Sequence, residues 1–337
     1  MSEPTLIDRK RDHIDLAFKS ATTATSLDQR FNYEPMLATH PVQNMPLTGH
    51  FLGKPILYPI WVSSMTGGTG IAATINENLA RACKDFGLGM GLGSCRKLLH
   101  SDEYLADFDV RKYIGDQPLY ANLGIAQIIE FIQQNRISEI STMLSKLKAD
   151  GLIIHINPIQ EWMQPEGDHI TGLMPLQAVE VILENIEAPI IVKEVGQGMG
   201  PESLKALLQL PIAALEFGAY GGTNFAKLEA LRDEVTDEID PICYVGHTAL
   251  EMIDIITRLD QEQKIACREF IISGGIRNYL DGYFVNELLP LNSVYGQASP
   301  FLKHAMGDYD QLAHFVQKQV DGYMFALRFL RLKNTEK

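Results

Sequence analysis

Cysteine is scarce in this chain, and the four present (Cys83, Cys95, Cys243, Cys267) form no CxxC pair. That spacing argues against structural zinc and a disulfide framework, and it makes a reduced, cytoplasmic compartment the expectation. No apolar run approaches the ~20 residues that a membrane span needs. Met1-Ser2-Glu3-Pro4 opens without the basic-then-apolar pattern of a secretion signal. Repeats and low-complexity tracts are absent. Basic residues are outnumbered, 29 Lys and Arg against 42 Asp and Glu, and the net charge of -13 speaks against nucleic acid as a partner. An anionic small substrate stays compatible, because a local Arg and Lys cluster reverses the field inside a cleft.

What is there is a core-forming sequence. Hydrophobic residues make up 46% of the 337, and the mean hydropathy is -0.04, as in a water-exposed globular chain with ample interior. The length exceeds one ordinary domain, but an α/β barrel of about 250 residues with extensions absorbs it.

Apolar runs of strand length recur, each ending in a short polar or Gly-rich patch. Ile56 to Val62 leads into Ser63-Ser64-Met65-Thr66-Gly67-Gly68, and Leu88 to Leu92 into Gly93-Ser94-Cys95-Arg96. Leu119 to Ala121 stops at Asn122, Leu152 to Ile154 at His155, and Ile190 to Val192 at Lys193-Glu194. Ala213 to Phe217 precedes Gly218 to Thr223, Phe270 to Ile272 precedes Ser273-Gly274-Gly275-Ile276-Arg277, and Ser293 to Tyr295 precedes Gly296-Gln297-Ala298. These runs read as the strands of a closed (β/α)8 TIM barrel, whose polar strand ends converge on the face where such barrels do chemistry. One-sided apolar stripes over Ile75 to Phe86, Leu176 to Ile186, Glu202 to Leu208 and Ala249 to Leu259 predict helices, the last with Thr248 as N-cap. Tyr309 to Leu332 reads as one long amphipathic helix with a basic end. Residues 1 to about 50 read as an N-terminal extension and 51–337 as the barrel. Pro241 to Gly246 resembles a ninth strand but is assigned to the long connection after the sixth.

The late Gly-rich patches, Gly221-Gly222-Thr223, Gly274-Gly275 and Gly296-Gln297-Ala298, fall where this fold commonly seats a phosphate on backbone N–H groups. Each alone is a turn; their placement together points to a phosphate-bearing cofactor. Lys193 on an apolar strand has two readings: a buried lysine bridged to Glu194 or a neighbour, or a cation facing the electron-rich N1/O2 edge of a flavin. His155-Ile156-Asn157-Pro158-Ile159-Gln160-Glu161 is the densest group of acid, base and ligand types. Glu161 suits Mg²⁺ held by one carboxylate with retained waters. His155 and Gln160 suit the positioning of a proton or a substrate oxygen. Arg9, Lys10, His13 and Arg96 supply donors for a diphosphate, although composition alone makes Arg9 to Arg11 a solvated charge patch.

Taken together, Arg9-Lys10-x-x-His13, Ser64-Met65-Thr66-Gly67-Gly68, Gly93-Ser94-x-Arg96, His155-x-Asn157-Pro158-x-Gln160-Glu161 and Pro165-Glu166-Gly167-Asp168 form an ordered series. Val192-Lys193-Glu194-Val195-Gly196, Gly221-Gly222-Thr223, Ser273-Gly274-Gly275-Ile276-Arg277 and Gly296-x-Ala298 continue it. Over nearly its whole length the chain resembles the type 2, FMN-dependent isopentenyl-diphosphate isomerases. The resemblance implies reversible conversion of isopentenyl diphosphate to dimethylallyl diphosphate by protonation and deprotonation. It also implies reduced FMN, Mg²⁺, NADPH as a reductant, and a homo-oligomer, tetramer or octamer. By matching motif, Met65, Thr66 and Gly67 would lie along the flavin, with Ser94, Asn122 and Lys193 around its ring. Thr223, Gly274, Gly275, Arg277, Gln297 and Ala298 would surround the FMN phosphate. Arg9, Lys10, His13, Arg96, His155 and Asn157 would hold the substrate diphosphate. Gln160, His155 and Glu161 would sit at the reacting centre, Glu161 as metal ligand.

The chain departs from the family pattern at Cys95 (usually Gln), at Phe225 (commonly Trp) and at Ala219-Tyr220 (more usually Gly-Ala). It also lacks an Ala-Leu-Gly-Ala step between Asn278 and Ser293. Two other readings stand beside the isomerase: an FMN barrel oxidoreductase of the α-hydroxy-acid oxidase type, and a non-catalytic barrel binding flavin or a phosphorylated metabolite. The first normally carries a His-Gly-Gly-Arg motif after a late strand, and strand six here ends without His or Arg. The second would have lost Gln160, Glu161 or Arg9-Lys10.

Overall fold

A computed structural model describes residues 6–42, 46–64, 70–232 and 239–333. All eight expected strands form. They are β1 (Ile60–Val62), β2 (Gly89–Gly91), β3 (Leu119–Gly124), β4 (Gly151–Ile156), β5 (Ile190–Glu194), β6 (Ala214–Glu216), β7 (Glu269–Ser273) and β8 (Asn292–Gln297). Each pairs in parallel with the next, and β8 returns to β1 with Tyr295 opposite Ile60, so the sheet closes and leaves no edge.

The run Ile56 to Val62 is not one strand. Lys54–Ile56 pairs antiparallel with Gly49–Phe51, and the barrel strand starts only after Pro59. Proline has no N–H to give a ladder, which makes Pro59 a natural break. This hairpin closes the N-terminal end of the barrel. Leu52 N–H donates to Glu269 Oε2 (2.7 Å) at the start of β7, and Asn292 Nδ2 at the start of β8 donates to the His50 carbonyl (3.1 Å). Phe51 and Ile56 join Trp61, Tyr120, Ile153, Ile191, Ala214, Ile271 and Val294 in one buried cluster filling the barrel. Trp61 meets Phe51 and Tyr120 edge-on, at 6.0 Å each. Its ring lies where a Cβ on residue 89 would come within 2.3 Å, so glycine in β2 is the condition for tryptophan in β1.

The helices follow the apolar stripes, two of them extended by a few residues (Ala72–Phe86 and Ala249–Gln263) and two shifted by one (Pro175–Asn185 and Pro201–Leu207). Thr248 caps the last in a capping box, its N–H donating to Glu251 Oε2 (2.7 Å) and its Oγ1 accepting from Glu251 N–H (3.3 Å). Pro241–Tyr244 is a 3₁₀ turn, as its assignment to a connection requires. Between Asn278 and Ser293 the chain builds a helix, Tyr279–Leu288, capped by Asn278 Oδ1.

The C-terminal expectation is corrected. The long helix is Tyr309–Phe329, and Leu330–Leu332 is a strand paired antiparallel with Phe31–Tyr33. Leu330-Arg331-Leu332 alternates with period two, and a waiting partner strand turns that alternation into pairing. The helix Leu6–Leu16 precedes this two-stranded sheet, and the described residues up to Ala38 and from Phe329 to Lys333 cluster as a unit separate from Thr39–Arg328. Among the described residues no helix is long and apolar enough to cross a membrane.

Candidate active site

Strand alternation decides which side chains look into the barrel. In β4, β5 and β6, His155, Lys193 and Glu216 are register partners, so their side chains stand side by side in the last layer before the C-terminal mouth. Asn122 and Ser273 extend this row at its two ends. His155 Nδ1 lies 2.7 Å from Asn122 Oδ1, and Ser273 Oγ donates to Glu216 Oε1 (3.3 Å). Lys193 Nζ is 3.6 Å from Glu216 Oε1 and donates to the Glu194 carbonyl at 3.3 Å. Lys193 is thus bridged to a neighbour, and that neighbour is Glu216 on the next strand. It also lines a cavity, so its two readings are compatible.

That cavity is walled by the ends of β1, β5, β6, β7 and β8. Lys193, Thr223, Gly274, Gly275, Gln297 and Ala298, all expected at a cofactor, line it together. Thr223 Oγ1 is bonded to Ser299 Oγ (3.1 Å), and Gln297 Nε2 donates to the Ile276 carbonyl (3.2 Å). Phe225 also faces the cavity, which places that departure on the cofactor side. Ser63 Oγ, Ser64 Oγ and Gln297 Oε1 are buried with no hydrogen-bond partner among the described residues. Buried polar atoms of this kind are normally satisfied, so the wall has hydrogen-bonding capacity for a polar guest. The residues fit a phosphate-bearing cofactor.

Other expected cofactor residues lie elsewhere. Asn122 is in the inner row beside His155. Ser94 is exposed on the loop after β2, and Arg277 is exposed beyond the wall, its N–H bonded to Asp281 Oδ2 (2.9 Å). Met65, Thr66 and Gly67 are outside the described residues. Cys95 is buried, its thiol pushed up to about 12 by desolvation, and its N–H donates to the Asn122 carbonyl (2.7 Å). It packs as a small apolar residue.

The second half of the site grows from the end of β4. Asn157 precedes the short helix Pro158–Met163, whose first turn carries Gln160 and Glu161. Asn157 Nδ2 donates to Glu161 Oε1 (2.7 Å) and to Gln160 Oε1 (3.1 Å). Glu161 Oε2 accepts from Asp168 N–H (2.7 Å), and the Asp168 carboxylate pairs with Arg96 at 2.5 Å and accepts from Gln127 Nε2 at 3.0 Å. Gln160 Nε2 reaches Glu229 Oε1 (3.3 Å) on the helix Phe225–Arg232, and Arg232 bridges Glu229 to Glu166. Glu161 has no basic partner among the described residues, and none of those residues form a cluster of three or more metal-ligating side chains. A lone carboxylate fits a Mg²⁺ that keeps its waters and takes the rest of its shell from substrate phosphates. Arg9, Lys10 and His13 lie together, exposed, on the helix Leu6–Leu16 of the smaller unit.

Burial, and then the Lys193 charge, depress the His155 pKa from 6.5 to about 4, so the ring is neutral at pH 7. With the Asn122 oxygen facing Nδ1, the ring proton sits there and Nε2 is an acceptor. Glu194, on the outer face of β5, moves the other way. Burial raises its carboxyl to about 7, against the pull of three N–H donors from Gly196, Gln197 and Gly198 at 2.6–2.9 Å. Between pH 6.5 and about 4 the unfolded chain binds a proton at His155 that the folded chain refuses, so this group makes stability fall as pH falls through that window. The expected result is that His155→Gln flattens this acid-side slope, measured by chemical unfolding from pH 4 to 7. An unchanged slope would contradict a neutral, desolvated His155 ring.

Sequence reasoning passed over two acids that the fold brings in. Glu216 carried the same signal as Lys193, one charge inside an apolar strand. Glu229 had none, because its helix shows no pattern that marks one face as facing the site.

A closed parallel barrel with a Gly-walled cavity and a ring of paired polar groups at its C-terminal mouth defines a (β/α)8-barrel of the kind that carries its chemistry at that end. Among solved structures the chain is similar to a mandelate oxidase variant with a monooxide FMN adduct (TM-score 0.56, 13% identity, 97% of this chain and 99% of that one). It is similar also to a flavocytochrome b2 variant with sulfite bound (TM-score 0.60, 13% identity, 88% of this chain and 72% of that one). At that identity these establish the fold alone. No family model matches the chain. Its sequence is 36% identical to isopentenyl-diphosphate delta-isomerase of Pelodictyon phaeoclathratiforme, over 81% of this chain and 80% of that protein. It is 32% identical to the enzyme of the same name from Rickettsia felis, over 92% and 89%. The chain belongs to the isopentenyl-diphosphate delta-isomerase family.

Proposed function

We propose that this chain interconverts isopentenyl diphosphate and dimethylallyl diphosphate with reduced FMN and Mg²⁺. The observation that carries the reading is the adjacency of two half-sites: a Gly-walled cavity with Lys193 in its wall, and one register step away the His155 row that leads to Gln160 and Glu161. When bound, reduced FMN supplies an electron-rich ring that stabilises positive charge and exchanges a proton at the alkene. Thr223, Gly274, Gly275, Gln297 and Ala298 hold its phosphate, with Arg277 at the rim. Lys193 would face the ring; Asn122 and Ser94, with Met65, Thr66 and Gly67, are the further residues that the family resemblance assigns to it.

Asn157 orients both Gln160 and Glu161 through its one amide nitrogen, so the three act as a unit. Glu161 binds Mg²⁺, which neutralises diphosphate charge. Gln160, held from behind by Glu229, stands at the alkene. A neutral His155 with an acceptor Nε2 does not grip an anion; an incoming diphosphate favours protonation of the ring, after which Nε2 donates. Arg96 supplies a further donor, and Arg9, Lys10 and His13 are the donors that the family resemblance adds. NADPH would keep the flavin reduced.

The test is an anaerobic assay with isopentenyl diphosphate, Mg²⁺, FMN and dithionite. Dimethylallyl diphosphate formed in a flavin- and reductant-dependent way is the expected outcome. Protein that carries FMN yet yields no product would reject the isomerase chemistry. Arg96→Ala should raise KM for isopentenyl diphosphate by roughly 10- to 100-fold, the worth of one charge-assisted hydrogen bond, with little change in kcat. A lower kcat at unchanged KM would remove Arg96 from the diphosphate.

A further inference from the structure

Glu216 is fully buried at the C-terminal end of β6, and one of its oxygens, Oε2, has no hydrogen-bond partner among the described residues. Its other oxygen meets Ser273 Oγ and the Lys193 ammonium, itself only 6% exposed. A buried ion pair at this spacing is a poor source of stability, since well-packed apolar residues serve as well or better. An under-satisfied buried carboxylate therefore calls for another explanation.

Register and accessibility supply one. Lys193 and Glu216 are direct partners across β5 and β6, yet only Lys193 reaches the cavity wall. Glu216 sits behind it, between Lys193 and Ser273, where it touches no guest. The other groups facing Lys193 are His155 across β4, which repels a second positive charge, and the Glu194 carbonyl on its own strand. Among these, Glu216 alone carries negative charge into the inner row. Ser273 Oγ holds both the carboxylate and the loop: it accepts from Gly218 N–H (3.0 Å), at the start of the Gly-rich wall.

We propose that Glu216 is a positioning residue for the cofactor site: it supplies the counter-charge that seats the Lys193 ammonium inside the barrel, aimed at the cavity. The inference rests on the reading of that cavity as the FMN site. Removing the carboxylate leaves an uncompensated buried cation that turns away or draws in water, and the cofactor loses its charged partner.

The experiment is a double-mutant cycle read by FMN titration, with unfolding of the flavin-free protein as a second measurement. Glu216→Gln keeps the shape and the bond to Ser273 and should weaken FMN binding by about tenfold or more. Glu216→Asp, which keeps the charge, should recover most of that loss. In a Lys193→Met background, Glu216→Gln should change FMN affinity by less than about twofold, because its effect runs through the lysine. Without flavin, the double variant should melt above Glu216→Gln alone, since it lacks the stranded charge. Wild-type affinity in Glu216→Gln, an Asp variant no better than Gln, or a further large loss in the Lys193→Met background would overturn the proposal. Wild-type protein that binds no FMN would sink the cofactor reading, and the melting order would still decide for or against the dependence of Lys193 on Glu216.

Discussion

Glu161→Gln is expected to lower Mg²⁺-dependent isomerase activity by roughly 10²-fold or more while leaving FMN bound, on the scale at which even indirect supports of a metal site are felt. The substitution removes the charge and one of two hydrogen-bond acceptors. Both carboxylate oxygens accept hydrogen bonds, from Asn157 Nδ2 and from Asp168 N–H, so an amide can keep only one of them unaided. The structure offers a repair: Asn157 Oδ1 is buried with no partner among the described residues, and rotating that amide would let it accept from the new NH₂ group. The rotation gives up the bond from Asn157 Nδ2 to Gln160. Some loss of kcat through Gln160 is therefore expected even at saturating Mg²⁺. Among the described residues the cofactor wall shares none with this network, so flavin content should not change. Activity against Mg²⁺ concentration, with FMN absorbance on the same sample, checks both parts. Loss of flavin together with activity would move Glu161 out of the metal role.

Gly274→Ala is expected to abolish FMN binding and to destabilise the barrel by several kcal/mol, about 1–3 of it from backbone strain alone. Gly274 has φ +91°, a conformation that side-chain-bearing residues rarely adopt, and an added Cβ would lie 2.0 Å from the Ala219 carbonyl oxygen. That oxygen belongs to the loop after β6, which packs directly on the loop after β7. Relief requires the two Gly-rich loops to separate, and their contact is the cavity wall. The melting temperature and an FMN titration test the two effects independently. A variant with wild-type melting and wild-type affinity would show that the loops do not form a rigid cradle.

These two sites differ in how visible they were in the chain. Gly274-Gly275 lies after an apolar run, and the expectation of a phosphate wall followed from its position in the barrel order. The strand runs themselves were legible because a barrel strand is buried on both faces, and continuous burial leaves an unbroken apolar signature. Helix positions were legible from one-sided stripes, with ends displaced by a few residues. The exceptions have local causes: Pro59 divides what looked like one strand, and a partner strand captures Leu330–Leu332 from the end of a helix.

Side-chain partnerships were a different matter. That Lys193 needed a partner was written in its strand; that the partner was Glu216 was not. The two face each other because β5 and β6 share a register, and nothing in either segment specifies that register by itself. The same holds for Glu229 behind Gln160 and for Asp168 between Arg96 and Glu161, which meet across separate loops. The sequence by itself determined the barrel, the order of its polar strand ends and the residue types gathered there, because burial periodicity and turn chemistry are local. Tertiary structure alone decided which charges pair, why His155 is neutral, and which residues of the Gly-rich ends share one cavity. Electrostatics and packing act through space, between positions that sequence distance does not relate.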